Sequence, residues 1–491
     1  MRRTWTPALA LSDDDTVPLF ARIATAITED VRRGRLRPGD TLPGSRPLAA
    51  TLGVHRNTVL AAYEALRAEG WVETSAASAT RVATALPIRA PRRFDARAPV
   101  REGLPESPPY ALGKAPPARA WGLPSGVIAL YGGMPDVGIF PAHLLARAYR
   151  AALGRGRHAL LDYGDPRGVP ALRRALAEML SSLRGVAARE DNVLVTRGSQ
   201  QGIDLLARTL LGPGEVIAVE AMGYAPAWES FRATGAELVP LALDAQGVDV
   251  DALEALCARR TVRALYVTPH HQYPTGVTLA SARRLALLGL AKRHRVCVIE
   301  DDYDHEFHYE GRPVLPLASA DPDGVVAYVG SLSKLLAPGL RTGFVVGPVS
   351  LIEHLAARRS YVDRQGDHVT EAALATLLEE GEVARHAGRA RRAYQARRDA
   401  FVEALGEYVG ERLRYEVPRG GMALWARVEG ARGADALIDR AREAGVYLQR
   451  TRGMCFDGRD RPAVRLGFAG HEPEVLREAA RRLGRCFRAA R

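Results

Sequence analysis

At 491 residues the chain is too long for one ordinary hydrophobic core, so at least two domains are expected. A hydrophobic content of 47 % with 25 % charged residues is that of a globular protein in water, and no apolar run approaches the ~20 residues of a membrane helix, which excludes a membrane partner. The net charge of +12 allows nucleic acid as a partner, but only three of the 68 basic residues are lysine, and a bias toward arginine explains the same excess.

The apolar patch Leu9-Ala10-Leu11 is too short for the core of a signal peptide, and the four cysteines (Cys257, Cys297, Cys455, Cys486) lack paired or metal-ligand spacing. A cytoplasmic protein without a metal is expected. Phe20, Ile23, Ile27 and Val31 recur at helical spacing behind Pro18, and Gly34 ends that helix. A second helix is predicted from about Pro47 to Leu52, with Ser45 or Arg46 near its cap. A third runs from Arg56 to about Glu69, with Val59, Tyr63 and Leu66 on its apolar face.

Two short helices joined through Gly53-Val54-His55 fit a helix-turn-helix, in which the start of the second helix meets base edges. There Arg56 can read guanine, Asn57 adenine, and Thr58 suits phosphate. Trp71–Thr74 and Thr80–Ala83 read as the strands of a wing that aims Arg81 at the DNA backbone. A three-helix packing module without DNA would show the same pattern.

The wording adds to the pattern. Leu36-Arg37-Pro38-Gly39-Asp40-Thr41-Leu42-Pro43-Gly44-Ser45-Arg46, Arg56-Asn57-Thr58-Val59 and Ala61-Ala62-Tyr63-Glu64-Ala65-Leu66 closely resemble the winged helix-turn-helix of GntR-type regulators, here over residues 17–84. The resemblance implies double-stranded promoter DNA as partner, with Ser45, Arg46, Arg56, Asn57, Thr58 and Arg81 as contacts. His55 departs from the family's usual serine cap, and the wing tip Ser75-Ala76-Ala77-Ser78-Ala79 lacks the usual glycines. Residues 85–125, rich in proline and arginine, read as an extended spacer.

From 126 to 491 strands alternate with helices, predicting an α/β domain with a mainly parallel sheet and a small α+β subdomain over about 360–491. Val193–Thr196 leads through Arg197-Gly198 into Ser199-Gln200-Gln201-Gly202, a small-residue turn opening a helix and hence a candidate phosphate cradle. Val296–Ile299 ends in Glu300-Asp301-Asp302-Tyr303. Val325–Val329 precedes Ser331-Leu332-Ser333-Lys334, followed by Pro338-Gly339-Leu340-Arg341. Pyridoxal phosphate chemistry needs a lysine that loses its proton, a carboxylate beside the pyridine nitrogen and a phosphate anchor. Lys334, Asp301 and the set Ser199, Ser331 and Arg341 supply these, and Tyr303 can donate to the ring hydroxyl.

Their order resembles the fold-type-I aminotransferases. With Thr268-Pro269, His271-Gln272, Pro274-Thr275-Gly276 and Glu300-Asp301-Asp302-Tyr303-Asp304, the chain is similar to the MocR-like regulators, in which a GntR-type domain is fused to an aminotransferase-like domain. The resemblance implies pyridoxal 5'-phosphate as cofactor, joined to Lys334 as a Schiff base. Asp301 would meet the pyridine nitrogen, Tyr303 the phenolic oxygen and Arg341 the phosphate, and Tyr224 would stack on the ring. Gln200, His271 and Ser333 complete the cofactor set, and Arg465 would receive a ligand carboxylate. Tyr273 stands where catalytic aminotransferases usually have an asparagine, with His271 or Tyr303 to compensate. A domain-swapped, head-to-tail homodimer is implied, with pyridoxal phosphate or a small amino compound as effector. A working aminotransferase with an accessory DNA-binding domain is the second reading of the same residues.

Overall fold

The computed structural model describes residues 9, 11, 17–74, 79–87, 105–113, 122–154, 157–311 and 313–488. The wing tip at 75–78 and most of the predicted spacer lie outside the described residues. The chain forms two compact units, Met1–Gly113 and Lys114–Arg491.

In the first unit α1 (Leu19–Arg32), α2 (Ser45–Leu52) and α3 (Arg56–Ala68) enclose Ile23, Ile27, Leu48, Val59 and Leu66. Strands β1 (Val72–Thr74) and β2 (Thr80–Val82) pair antiparallel and close the core with Trp71 and Val82. Gly53 ends α2 at φ +66°, the left-handed geometry that glycine adopts without a Cβ penalty. Ser45 is the first helical residue of α2, and Gly44 precedes it at the cap. His55 caps α3, its Nδ1 accepting from the Asn57 N–H at 3.2 Å, so it performs the task of the expected serine.

The second unit is built on a seven-stranded sheet. Its strands are β3 (Val193–Thr196), β4 (Val216–Glu220), β5 (Glu237–Leu241), β6 (Val262–Val267), β7 (Cys297–Asp302), β8 (Val326–Ser331) and β9 (Gly343–Val346), in the order β3-β9-β8-β7-β6-β4-β5. All run parallel except β9, which pairs antiparallel with both β8 and β3. One face packs Val298, Leu265 and Tyr328 against α4 (Pro170–Arg184) and α7 (Ser281–His294). The other packs Ile299, Tyr266 and Val329 against α5 (Ser199–Leu210), α6 (Ala225–Arg232) and α8 (Val349–Arg359). Coverage of both faces is what a strand buried at every position, such as β3, requires.

The apolar runs lead directly into polar groups, and β7 continues through Glu300-Asp301-Asp302 and β8 through Ser331, all buried. Each acid stays in the strand because it has a partner: Glu300 accepts from the N–H groups of Leu317 (2.7 Å) and Ala318 (2.9 Å), Asp301 from Tyr266, and Asp302 from Tyr328.

The three-stranded antiparallel sheet β10 (Leu413–Arg414), β11 (Ala423–Val428) and β12 (Ala463–Gly467) packs with α10 (Glu382–Tyr408) and α11 (Pro473–Arg488) in a separate core. That core begins later than residue 360, because α9 (His368–Glu379) buries Ala373, Leu374 and Leu377 in the large core. It also takes in Leu130, carried there by Ile128–Ala129 pairing parallel with Val446–Tyr447. Among the described residues no helix is long and apolar enough to cross a membrane.

Candidate functional site

The register of three strands assembles the first half of the site. Thr196, Gly343 and Ser331 lie in one row across β3, β9 and β8. A Cβ on Gly343 would stand 2.6 Å from the Gly198 carbonyl carbon and 2.7 Å from Ser199 N, so only glycine lets β9 press this closely on the start of α5. No side chain caps α5, which leaves the positive end of the helix for another ligand. Arg341 lies against that end, with its Nη2 donating to the Arg197 carbonyl at 3.1 Å, and a Cβ on Gly198 would meet Nη2 at 2.9 Å. Ser331 Oγ accepts from the Ser333 N–H at 3.1 Å, and Ser333 Oγ is buried without a hydrogen-bond partner. The Gln200 side chain turns elsewhere, donating to Pro226 O (2.9 Å) and Ser230 Oγ (3.0 Å) and tying α5 to α6.

Adjacent acids on β7 point to opposite faces, as the period of a strand dictates. Burial works to raise the Asp302 pKa, but His305, whose Nδ1 lies 2.9 Å from Oδ2, prevails with help from His270 and Arg184 and holds it far below the usual range. Arg184 is itself buried and bonded to Tyr328 and Glu306. Asp301, on the side of α5 and α6, has no such cation at contact. Burial, with Asp302 and Asp304 in the same sense, pushes its pKa up to about 7 against the opposing Tyr266 hydrogen bond (2.7 Å) and Lys334. Its second oxygen, Oδ1, is buried with no hydrogen-bond partner. Lys334 is half-buried. Desolvation and then the charges of Arg465 and Arg341 lower its ammonium pKa against the pull of Asp304 and Asp301.

The second half of the site comes from the small sheet and the loop after β6. Arg465, buried on β12, donates from Nη1 to Pro274 O at 3.0 Å and stacks over the Tyr273 ring at 4.6 Å, while its Nε has no hydrogen-bond partner. A Cβ on Gly132 would overlap that Nε. Tyr224, half-buried at the start of α6, meets Tyr273 edge-on at 5.8 Å. Tyr303 O–H donates to the His271 carbonyl at 2.9 Å and its oxygen is bonded by Arg465, so in this arrangement its proton is not offered to a ring hydroxyl as predicted. His271, Tyr303, Asp304 and Arg465 line one cavity of about 920 Å³.

These residues fit a phosphorylated pyridine aldehyde. The orphaned Asp301 Oδ1 could accept from a pyridine N–H, the uncapped α5 with Arg341 could hold the phosphate, and Lys334 is eased toward the neutral amine. In the first unit Arg46, Arg56 and Asn57 are exposed and Ser45, Thr58 and Arg81 half-buried. Arg56 Nε donates to Ser45 Oγ at 3.3 Å, linking the starts of α2 and α3 in one polar patch.

Residues 19–82 match the bacterial regulatory proteins of the gntR family, and residues 136–483 match aminotransferase class I and II. The chain is 33 % identical over 480 residues to the probable rhizopine catabolism regulatory protein MocR of Rhizobium meliloti, covering 98 % of this chain and 96 % of that protein. The chain belongs to the MocR-like regulators of the GntR family. Another relative is the pyridoxine biosynthesis transcriptional regulator PdxR of Corynebacterium glutamicum, 30 % identical over 93 % of this chain and 94 % of that one. Among solved structures, the multiple substrate aminotransferase of Thermococcus profundus superposes with a TM-score of 0.70 at 30 % identity, covering 74 % of this chain and 92 % of its own. The Thermus thermophilus α-aminoadipate aminotransferase, solved with a phosphopyridoxyl-leucine, gives 0.69 at 30 % identity, with 74 % and 93 % covered.

The sequence reading of this MocR-like chain misses Tyr266 and Gly132. Tyr266 looks like one more aromatic in a buried strand, and only the β6–β7 register, which sets it beside Ile299, brings its hydroxyl to Asp301. Gly132 lies far from Arg465 in sequence, and the room it must leave is invisible until the segment at Leu130 runs beside β12, where Gly467 N–H donates to Leu130 O at 3.2 Å. Asp304 stood in the quoted motif without a role. Its carboxylate Oδ1 lies 2.8 Å from His271 Nδ1 and accepts from that ring N–H.

Proposed function

We propose that this chain is a DNA-binding transcription regulator that carries pyridoxal 5'-phosphate in its large unit and senses there either the cofactor itself or a small amino compound. The observation that carries the reading is the convergence of Lys334, the open oxygen of Asp301 and the Arg341-flanked helix start in a chain that also has a helix-turn-helix. Bound there, pyridoxal phosphate supplies a carbon that condenses reversibly with amines and a ring that withdraws their electrons.

The chain's own residues hold and orient it. The Lys334 ε-nitrogen is the point of attachment. Asp301 Oδ1 accepts the pyridine N–H and keeps that proton in place. Ser199, Ser331, Ser333, Arg341 and the backbone of Gln200 take the phosphate, Tyr224 covers a ring face, and His271 and Tyr303 border the phenolic oxygen. Arg465 offers its unpartnered Nε–H to the carboxylate of an amino-acid effector, close enough to Lys334 that the two charges already feel one another.

The regulator acts in the cytoplasm as a head-to-tail, domain-swapped homodimer, a reading that rests on the family resemblance. A two-fold dimer calls for paired half-sites about 34 Å apart or at multiples of that turn. In the first unit Ser45, Arg46, Arg56, Asn57, Thr58 and Arg81 meet the duplex.

The lowered pKa of Lys334 also serves turnover, which keeps a working aminotransferase as the second reading. A mobility-shift titration on the chain's own upstream DNA, with and without pyridoxal phosphate, tests the first. The wild type should bind with an affinity that depends on the cofactor, and Lys334→Ala should bind without that dependence and lack the cofactor's visible absorbance. No binding under either condition sinks the regulator, and sustained conversion of an amino acid and 2-oxo acid pair would favour the enzyme.

A further inference from the structure

The cavity wall holds a second cluster, of which the cofactor set includes only His271. His270 and His271 follow β6, and His308 lies beyond the end of β7. One ring nitrogen from each of the three lies within 4.8 Å of the other two. His270 is only 3 % exposed, and neither of its ring nitrogens has a hydrogen-bond partner. A neutral imidazole carries one donor and one acceptor, so burying both unpaired is a cost that a bound group would relieve.

His271 already commits Nδ1 to Asp304 at 2.8 Å, which leaves Nε2 as its ligand atom. A Cβ on Gly420 would stand 2.6 Å from that Nε2, so the glycine keeps the atom clear. A carboxylate behind one nitrogen of a histidine is the arrangement that fixes the other as a metal ligand. The rings are also held by packing: His270 meets His271 at 4.3 Å and His305 at 4.7 Å, and His305 is anchored on Asp302 at 2.9 Å.

We propose that His270, His271 and His308 form a site for a divalent transition-metal ion of the zinc class. Zinc–nitrogen bonds of about 2.0–2.1 Å set tetrahedral ligands roughly 3.4 Å apart, so the cluster closes by small ring rotations. Three imidazoles without thiolate suit zinc, cobalt or nickel, whereas magnesium and calcium demand oxygen ligands. All three histidines line the cavity shared with Tyr303 and Arg465, so the fourth position opens toward the space an effector would enter. A carboxylate or hydroxyl of that effector, or water, completes the shell.

The test uses the full chain produced without a histidine tag, incubated with zinc, dialysed, and analysed by mass spectrometry for metal. The wild type should keep about one ion per chain, and His270→Gln and His308→Ala should each fall to background while retaining the visible absorbance of pyridoxal phosphate. Cobalt should give the visible bands of a tetrahedral nitrogen site in the wild type and not in His308→Ala. Metal content below about a tenth of an ion per chain overturns the proposal, as does equal content in all three proteins, which places the ion elsewhere. Should His270→Gln fail to fold, the half-buried His308 decides through its own variant.

Discussion

Replacing Asp301 with asparagine separates two effects that the carboxylate combines. In the cofactor-free protein burial, more than the neighbouring Asp302 and Asp304, raises the Asp301 pKa from 3.8 to about 7. The folded state therefore holds this proton more tightly than the unfolded chain, and stability is lost as pH rises from about 4 through about 7. At about 1.4 kcal/mol per pH unit, an ionised Asp301 costs the empty fold up to about 4 kcal/mol at pH 8. Asparagine keeps an acceptor for Tyr266 O–H and carries no charge. Cofactor-free Asp301→Asn should thus be the more stable protein at pH 8, with an advantage that widens by roughly 2–3 kcal/mol between pH 5 and pH 8. Toward pyridoxal phosphate the carboxylate is the better partner, because losing a hydrogen bond to a charged partner costs about 1.5–3 kcal/mol, a roughly 10- to 150-fold weaker affinity for the variant. Thermal unfolding of both proteins across that pH range, stripped of cofactor, gives the first quantity, and fluorescence titration with pyridoxal phosphate gives the second. Glu300, also raised to about 7 by burial, titrates in both proteins and cancels in the difference. Glu220, raised to about 7 by burial and in smaller part by the Asp301 charge, loses that part in the variant and adds to its advantage. A stability difference that does not change with pH would refute the assignment of the burial cost to Asp301.

Two further outcomes follow from geometry. Gly343→Ala places a Cβ 2.6 Å from the Gly198 carbonyl carbon, so strand and helix start must part. It should cost about 1–3 kcal/mol by denaturant titration and weaken pyridoxal phosphate, and an unchanged affinity would remove the phosphate from this cradle. Arg56→Ala, at an exposed position, should leave unfolding nearly unaltered while weakening promoter binding by about 1–3 kcal/mol and relaxing selection at one base pair. Equal loss on every sequence would make Arg56 a backbone contact instead.

The helices of the first unit and the strands β3, β7 and β8 were legible because each announces itself locally. Ile23 and Ile27 keep helical spacing, Gly53 supplies the left-handed stop, and Val193–Thr196 is a short apolar run. What stayed hidden depends on pairs distant in sequence. Nothing around Arg465 indicates that Gly132 must yield it space, and nothing around Asp301 indicates that Tyr266 will occupy one of its oxygens and leave the other. No spacing in the sequence links the three histidines, because the fold brings His308 to His270 and His271 from another strand's loop.

One site can serve a catalyst or a sensor, and the two make unequal demands. Catalysis requires the transition state to be stabilised by ~8 kcal/mol or more beyond the ground state, which needs every proton donor aimed at its target. Moving a two-state regulator by about a hundredfold requires only ~2.7 kcal/mol of difference in effector affinity between its states. Tyr303, whose proton goes to the His271 carbonyl, and Tyr273, whose hydroxyl reaches Gln449 at 3.4 Å, are poorly aimed for the first task. The second asks less of their aim: an effector that reached Lys334 and paired with Arg465 would need only to exchange a few existing hydrogen bonds for new ones, at about 0.5–1.5 kcal/mol net each, to supply a difference of that size without completing a turnover.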